Sequence, residues 1–162
     1  MNRGHGWKRA LSALLCGVLL LGGSTAGASS FPDVPDSADY AEAVEALYEQ
    51  GIITGDENGK FNPGHTITRA ESAAIICRLM GVEVSGPERT SFSDVPSSHW
   101  ASGYIAAAEE SGVINGYGNG KFGPGDPVTY AQMVKMLICV CGYEDIALML
   151  GGYPSGYLSV GK

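Results

Sequence analysis

The chain repeats itself at a fixed distance. Displaced by 61 positions, residues 31–81 align without a gap on residues 92–142, and 19 of the 51 pairs are identical. The heptapeptide NGKFNPG at 58–64 returns as NGKFGPG at 119–125. Two segments this alike fold as copies of one small unit, and such units bury their apolar faces by stacking on one another.

Each copy has the same order of parts. FPDVP (31–35) or FSDVP (92–96) opens it as a turn, because Pro and Asp favour turns. An outer helix is predicted next, from the apolar spacing of Tyr40, Val44, Leu47 and Tyr48 in the first copy. In the second it is carried by Trp100, Tyr104, Ile105, Ala107 and Ala108. Gly51 and Gly112 stand where a helix C-terminus uses glycine. The Asn-Gly turn of the heptapeptide leads to an inner helix. Thr68 with Glu71, and Thr129 with Gln132, fit the capping box that opens a helix. In 133–141, MVKMLICVC, Lys135 is the one charge, so this helix is predicted to be buried. Arg69 has no such local explanation. It stands at the first helical position, where a cation opposes the helix dipole, and so invites a functional reading.

An echo of the second outer helix, Trp100-Ala-Ser-Gly-Tyr-Ile105, begins at Tyr153-Pro-Ser-Gly-Tyr-Leu158. The reading is therefore repeat one at 29–81, a linker at 82–91, repeat two at 92–142, and the start of a truncated third repeat at 143–162. Truncation is expected to leave part of the inner helices' apolar surface uncovered.

The first 28 residues read as a secretory signal. Arg3, Lys8 and Arg9 precede the apolar run Ala10 to Leu21, and Ala26-Gly27-Ala28 offers a cleavage site. The run is shorter than the roughly 20 residues of a membrane span, and no membrane span is expected after signal removal. Cys16 lacks the small preceding residues of a lipoprotein signal. Removal of 1–28 leaves seven basic residues against 17 acidic ones, a net charge of −10. An acidic exported chain is a poor partner for nucleic acid. The remaining Cys77, Cys139 and Cys141 are odd in number and make no disulfide framework. They read as small buried apolar side chains.

FSDVPSSHWASGYI, GVINGYGNGKFGPGDPVT and ITRAE (67–71) together resemble the S-layer homology family. The resemblance covers both repeats, in order and at family spacing. It implies an all-α fold of tandem helix-loop-helix repeats, in the family a three-pronged spindle around a central bundle of second helices. It implies export to the cell surface and non-covalent binding of an anionic, often pyruvylated, secondary cell wall polysaccharide, without cofactor or metal. Other S-layer homology units, or a missing third repeat, are implied as further partners. Carried over residue by residue, Arg69 is the expected carboxylate partner, since a guanidinium meets a carboxylate with two parallel hydrogen bonds. Trp100 is expected either to stack on a sugar or to pack in the core. Gly55 is expected either to admit a ligand close to the backbone or simply to serve a turn. Tyr130 replaces the arginine in the second repeat, which is expected to weaken that groove, and Asp39 replaces the family tryptophan in the first.

Rival readings fare worse. DENGKF resembles a calcium loop only faintly, because Thr54 and His65 stand where an EF-hand needs acids. No nucleophile elbow or zinc motif accompanies His65 and His99, so the chain is not expected to be an enzyme. A structural piece of a surface array, without glycan binding of its own, is the serious alternative.

Overall fold

The computed structural model describes residues 29–162. The expected signal peptide, 1–28, with Cys16 and its cleavage site, lies outside the described residues. Six α-helices and no strand occur among the described residues, and one isolated bridge joins Thr68 to Pro127. The fold is all-α. It divides into two compact units, whose described parts are residues 29–66 and 67–162.

In the 29–66 unit, α1 (Ala41–Glu49) buries Val44 and ends at Gly51, whose φ of 68° suits a residue without a Cβ. Phe31 lies 4.9 Å from the Tyr48 ring and 5.7 Å from Phe61, joining the opening turn to the helix and to the heptapeptide. The Asp33 carboxylate accepts from the backbone N–H of Phe61 (2.9 Å) and of Asn62 (2.7 Å). Asp56 accepts from the N–H of Asn58 (2.8 Å) and of Lys60 (2.9 Å), and from Asn62 Nδ2 (2.9 Å). Its carboxylate therefore shapes the turn that resembled a calcium loop.

The 67–162 unit holds α2 (Arg69–Leu79), α3 (Ser102–Glu110), α4 (Tyr130–Val140), α5 (Glu144–Met149) and α6 (Ser155–Val160). Its larger core joins Ile76 and Cys77 of α2, Ile105 and Ala108 of α3, Met136 and Val140 of α4, and Phe122. The Cys77 thiol donates to the Tyr104 carbonyl (3.2 Å), and burial pushes its pKa up to about 11, which makes it an inert core group. A smaller core sets Val134 and Ile138 of α4 against Ala147 and Tyr157. Tyr157, 2% exposed, donates to Glu144 Oε1 (3.1 Å), and burial together with that bond pushes its hydroxyl up to about 12. Residues 143–162 thus cover part of α4. Leu148, Met149 and Leu150 among them stay exposed.

The joint seen in the first unit recurs here. The Asp94 carboxylate accepts from the N–H of Phe122 and of Gly123, both at 2.8 Å. Position 123 has a φ of 70° and its counterpart Asn62 a φ of 58°, so the heptapeptide varies only between the two residues that tolerate this conformation. The inner helices open on true capping boxes. Thr68 Oγ1 accepts from Glu71 N, and the Glu71 carboxylate accepts from Thr68 N; Thr129 and Gln132 do the same.

The Ser-Gly-Tyr echo has a packing cause. A Cβ on Gly103 would collide with the Gly86 carbonyl and Val84, where the linker crosses α3. A Cβ on Gly156 would collide with the Ala147 carbonyl. Glu42, at the place of Gly103 in α1, is exposed.

Two outcomes follow from these joints. Gly103→Ala should destabilise the chain by about 1–3 kcal/mol, because the colliding group is backbone; urea unfolding measures it. Burial raises the pKa of Asp33 and of Asp94, but their backbone N–H donors outweigh it, and both end below the ordinary 3.8. Their stabilisation is therefore complete above the unfolded value and is lost as pH falls through the lower folded one. Urea midpoints should drop on acidification below about pH 4, and Asp94→Asn should be less stable at neutral pH with a shallower acid loss.

Candidate functional site

Arg69 opens α2, and its backbone belongs to a cross-repeat joint. Its N–H donates to the Asp126 carbonyl (2.9 Å), the Ala70 N–H to Pro124 (3.0 Å), and the Val128 N–H to Ile67 (2.9 Å). The first two satisfy helix donors that have no partner within the helix. The side chain then runs into the second repeat. Nε donates to the Phe122 carbonyl (2.7 Å) and Nη2 to the Asn115 carbonyl (2.8 Å). The guanidinium carbon lies 4.7 Å from the Tyr117 ring centroid and 4.6 Å from that of Phe122. Arg69 therefore has the structural explanation that its helical position alone did not supply. It ties α2 to the 115–122 loop.

That role does not exhaust it. Arg69 is 8% exposed, yet among the described residues no carboxylate pairs with it. Nη1 makes no hydrogen bond there, while no fully buried side-chain nitrogen lacks a partner, so Nη1 reaches open space. The side-on fork, Nε with Nη2, is occupied by carbonyls. The end-on edge carries Nη1, which makes no hydrogen bond among the described residues.

Arg69 lines a cavity of about 300 Å³, shared with Asn115, Tyr117, Gln132, Lys135 and Tyr153. No acidic residue is among those that line it. Lys135 sits with Nζ 5.9 Å from the Tyr153 ring centroid and 5.7 Å from that of Tyr157, within cation–π range. Tyr117 donates to Asp126 Oδ2 (2.9 Å), which fixes its ring over the guanidinium. A cavity with two cations, two half-exposed tyrosines and two side-chain amides is equipped to hold an anionic, hydroxyl-rich molecule. Its size is at the small end of the roughly 300–1,000 Å³ usual for ligand pockets.

The other sequence candidates lie elsewhere. Trp100 precedes α3, is 60% exposed, and stacks on His99 with ring centroids 5.9 Å apart; it is neither a core residue nor part of this cavity lining. Gly55 belongs to the 29–66 unit, with a φ of 71° and the Phe31 ring where a Cβ would stand. Its counterpart Gly116 has the Phe92 ring at the same place, without a positive φ, and does line the cavity. Thr68, Glu71, Thr129 and Gln132 form the caps, and Gln132 also faces the cavity. Tyr130, in the arginine position of repeat two, is 76% exposed. The sequence reading passed over Tyr117 and Lys135 as ligand contacts, although the single charge in an apolar helix was a visible signal. It also placed the groove between repeats one and two alone. Tyr153 joins it because Tyr157 docks α6 on α4.

Tandem all-helical units with Asp-held turns make this a helical repeat module. The chain belongs to the S-layer homology domain family, whose model matches residues 30–73 and 91–134. It is 36% identical over 138 residues to a cell surface protein of Thermoanaerobacter kivui, covering 83% of this chain and 18% of that protein. Against an S-layer protein of Bacillus thuringiensis subsp. finitimus the identity is 30% over 141 residues, covering 85% and 17%. Against an uncharacterized cell wall amidase of Bacillus anthracis it is 34% over 132 residues, covering 81% and 24%. The chain spans less than a quarter of the length of each of these relatives. Membership of this family marks it as an exported cell-surface protein. No helix among the described residues is long and apolar enough to cross a membrane, and none of their His, Cys, Asp and Glu side chains gather in groups of three or more that would hold a metal.

Arg69→Met should leave the Asn115 and Phe122 carbonyls without their charged donor and cost about 1–3 kcal/mol. A urea titration measures this, with Arg69→Lys expected to recover part of the loss.

Proposed function

We propose that this chain is a non-covalent anchor that binds an anionic, pyruvyl-ketal-bearing secondary cell wall polysaccharide through the Arg69 cavity. One observation carries the reading. A guanidinium only 8% exposed has carbonyl partners but, among the described residues, no paired carboxylate, and the cavity it lines is bordered by no acid in a chain whose net charge is −7. Burying a charge is costly unless an opposite charge meets it. A ketal carboxylate at the end-on edge supplies that partner, and Tyr117 and Tyr153 offer faces to the sugar ring. Trp100 is a second proposed stacking contact, outside this cavity. The role proposed is binding: His99 Nδ1 accepts from the Ala101 N–H (3.1 Å) in the turn before α3.

The competing reading, a structural piece of a surface array without glycan affinity, draws on the two carbonyls that already engage Arg69. Co-sedimentation of the exported chain with purified wall polymer, native or stripped of its ketals, separates the two. The anchor should sediment with native polymer only, with a shallow salt dependence because few contacts are involved. Equal behaviour with both polymers, or no sedimentation with either, removes the anchor reading.

A further inference from the structure

Two differences between the repeats meet at the Arg69 cavity. The capping residue of α4 is Gln132 where α2 has Glu71, and the two make the same bond. Glu71 accepts from Thr68 N at 2.7 Å, and Gln132 Oε1 accepts from Thr129 N at 2.8 Å. A carboxylate also complements a helix N-terminus, so local stability favours glutamate at both places. The copy that lines the cavity is nevertheless the neutral one, and Glu71 is exposed. Three residues further along, Lys135 stands where α2 has the buried Ala74. The first difference removes a negative charge from the cavity wall and the second adds a positive one.

The geometry points to Gln132 and Lys135 as the residues that set the cavity's charge selection. With Arg69 they make it a receptor for an anionic sugar substituent, one in which no fixed carboxylate competes with the ligand's own. This deepens the proposed glycan binding and rests on it. Gln132 acts by being neutral: it keeps the cap that positions α4 and gives up the charge. Lys135 acts as a second cation, and the rings of Tyr153 and Tyr157 hold its long side chain in place. Selection therefore depends on residues 143–162 as well as on α2, α4 and the 115–122 loop.

The test is calorimetric titration of the exported chain with two methyl hexopyranosides, one bearing a 4,6-linked pyruvyl ketal and one without it. The parent chain should prefer the ketal. Gln132→Glu should keep its helix content and melting temperature, because Glu71 makes the same cap in this chain, but should lose about tenfold or more of the ketal preference through like-charge juxtaposition. Lys135→Gln should lose preference too, and Lys135→Arg should retain it. If the parent prefers the ketal and both Gln132→Glu and Lys135→Gln prefer it equally, the charge assignment falls and the glycan reading stands. If the parent shows no preference, both fall. Should Gln132→Glu fail to fold, the Lys135→Gln and Lys135→Arg pair decides the matter on the same terms.

Discussion

The bidentate grip of an aspartate on two successive backbone N–H groups is the constraint from which each repeat is built. Asp33 and Asp94 stand in the opening turns and reach across to the heptapeptides 28 or 29 residues away. The grip fixes where the outer helix begins and where the chain turns towards the inner one. The aromatic pairs Phe31–Phe61 and Phe92–Phe122 close over the same joint. With the heptapeptide held, Phe122 presents its carbonyl and its ring to Arg69, so the site inherits its geometry from the turn.

Arg69 consequently has a role in the fold and a proposed one in binding. Its side-on fork fastens the 115–122 loop, and the residue also lines the cavity. These roles support each other physically, since a guanidinium fixed by carbonyls and aromatic faces meets a ligand with little further loss of side-chain freedom. They also explain why the residue is hard to probe by truncation. Removing the side chain takes away a contact of the fold together with a contact of the site, whereas the cavity's neutral and basic walls on α4 are separable from folding.

Much of this was legible in the sequence because it is local. The capping boxes, the helix-ending glycines and the Asn-Gly turns each lie within a few residues of what they organise. What escaped is non-local. Arg69 meets carbonyls 46 and 53 residues away, and periodicity carries no trace of a backbone acceptor. Trp100 precedes its helix and lies on the surface, so its apolar character misled the pattern of the outer helix. The role of Gln132 required knowing that α4, and not α2, turns its capping residue to the cavity.

The close-packed glycines carry one further consequence. Gly103 and Gly156 let a preceding stretch of backbone cross the start of a helix, and Glu42 holds the same place in α1. The tiles of this array are thus keyed like a tongue and a slot. A copy with a bulky residue there lacks the slot that admits the crossing backbone, so the copies are not equivalent at this place.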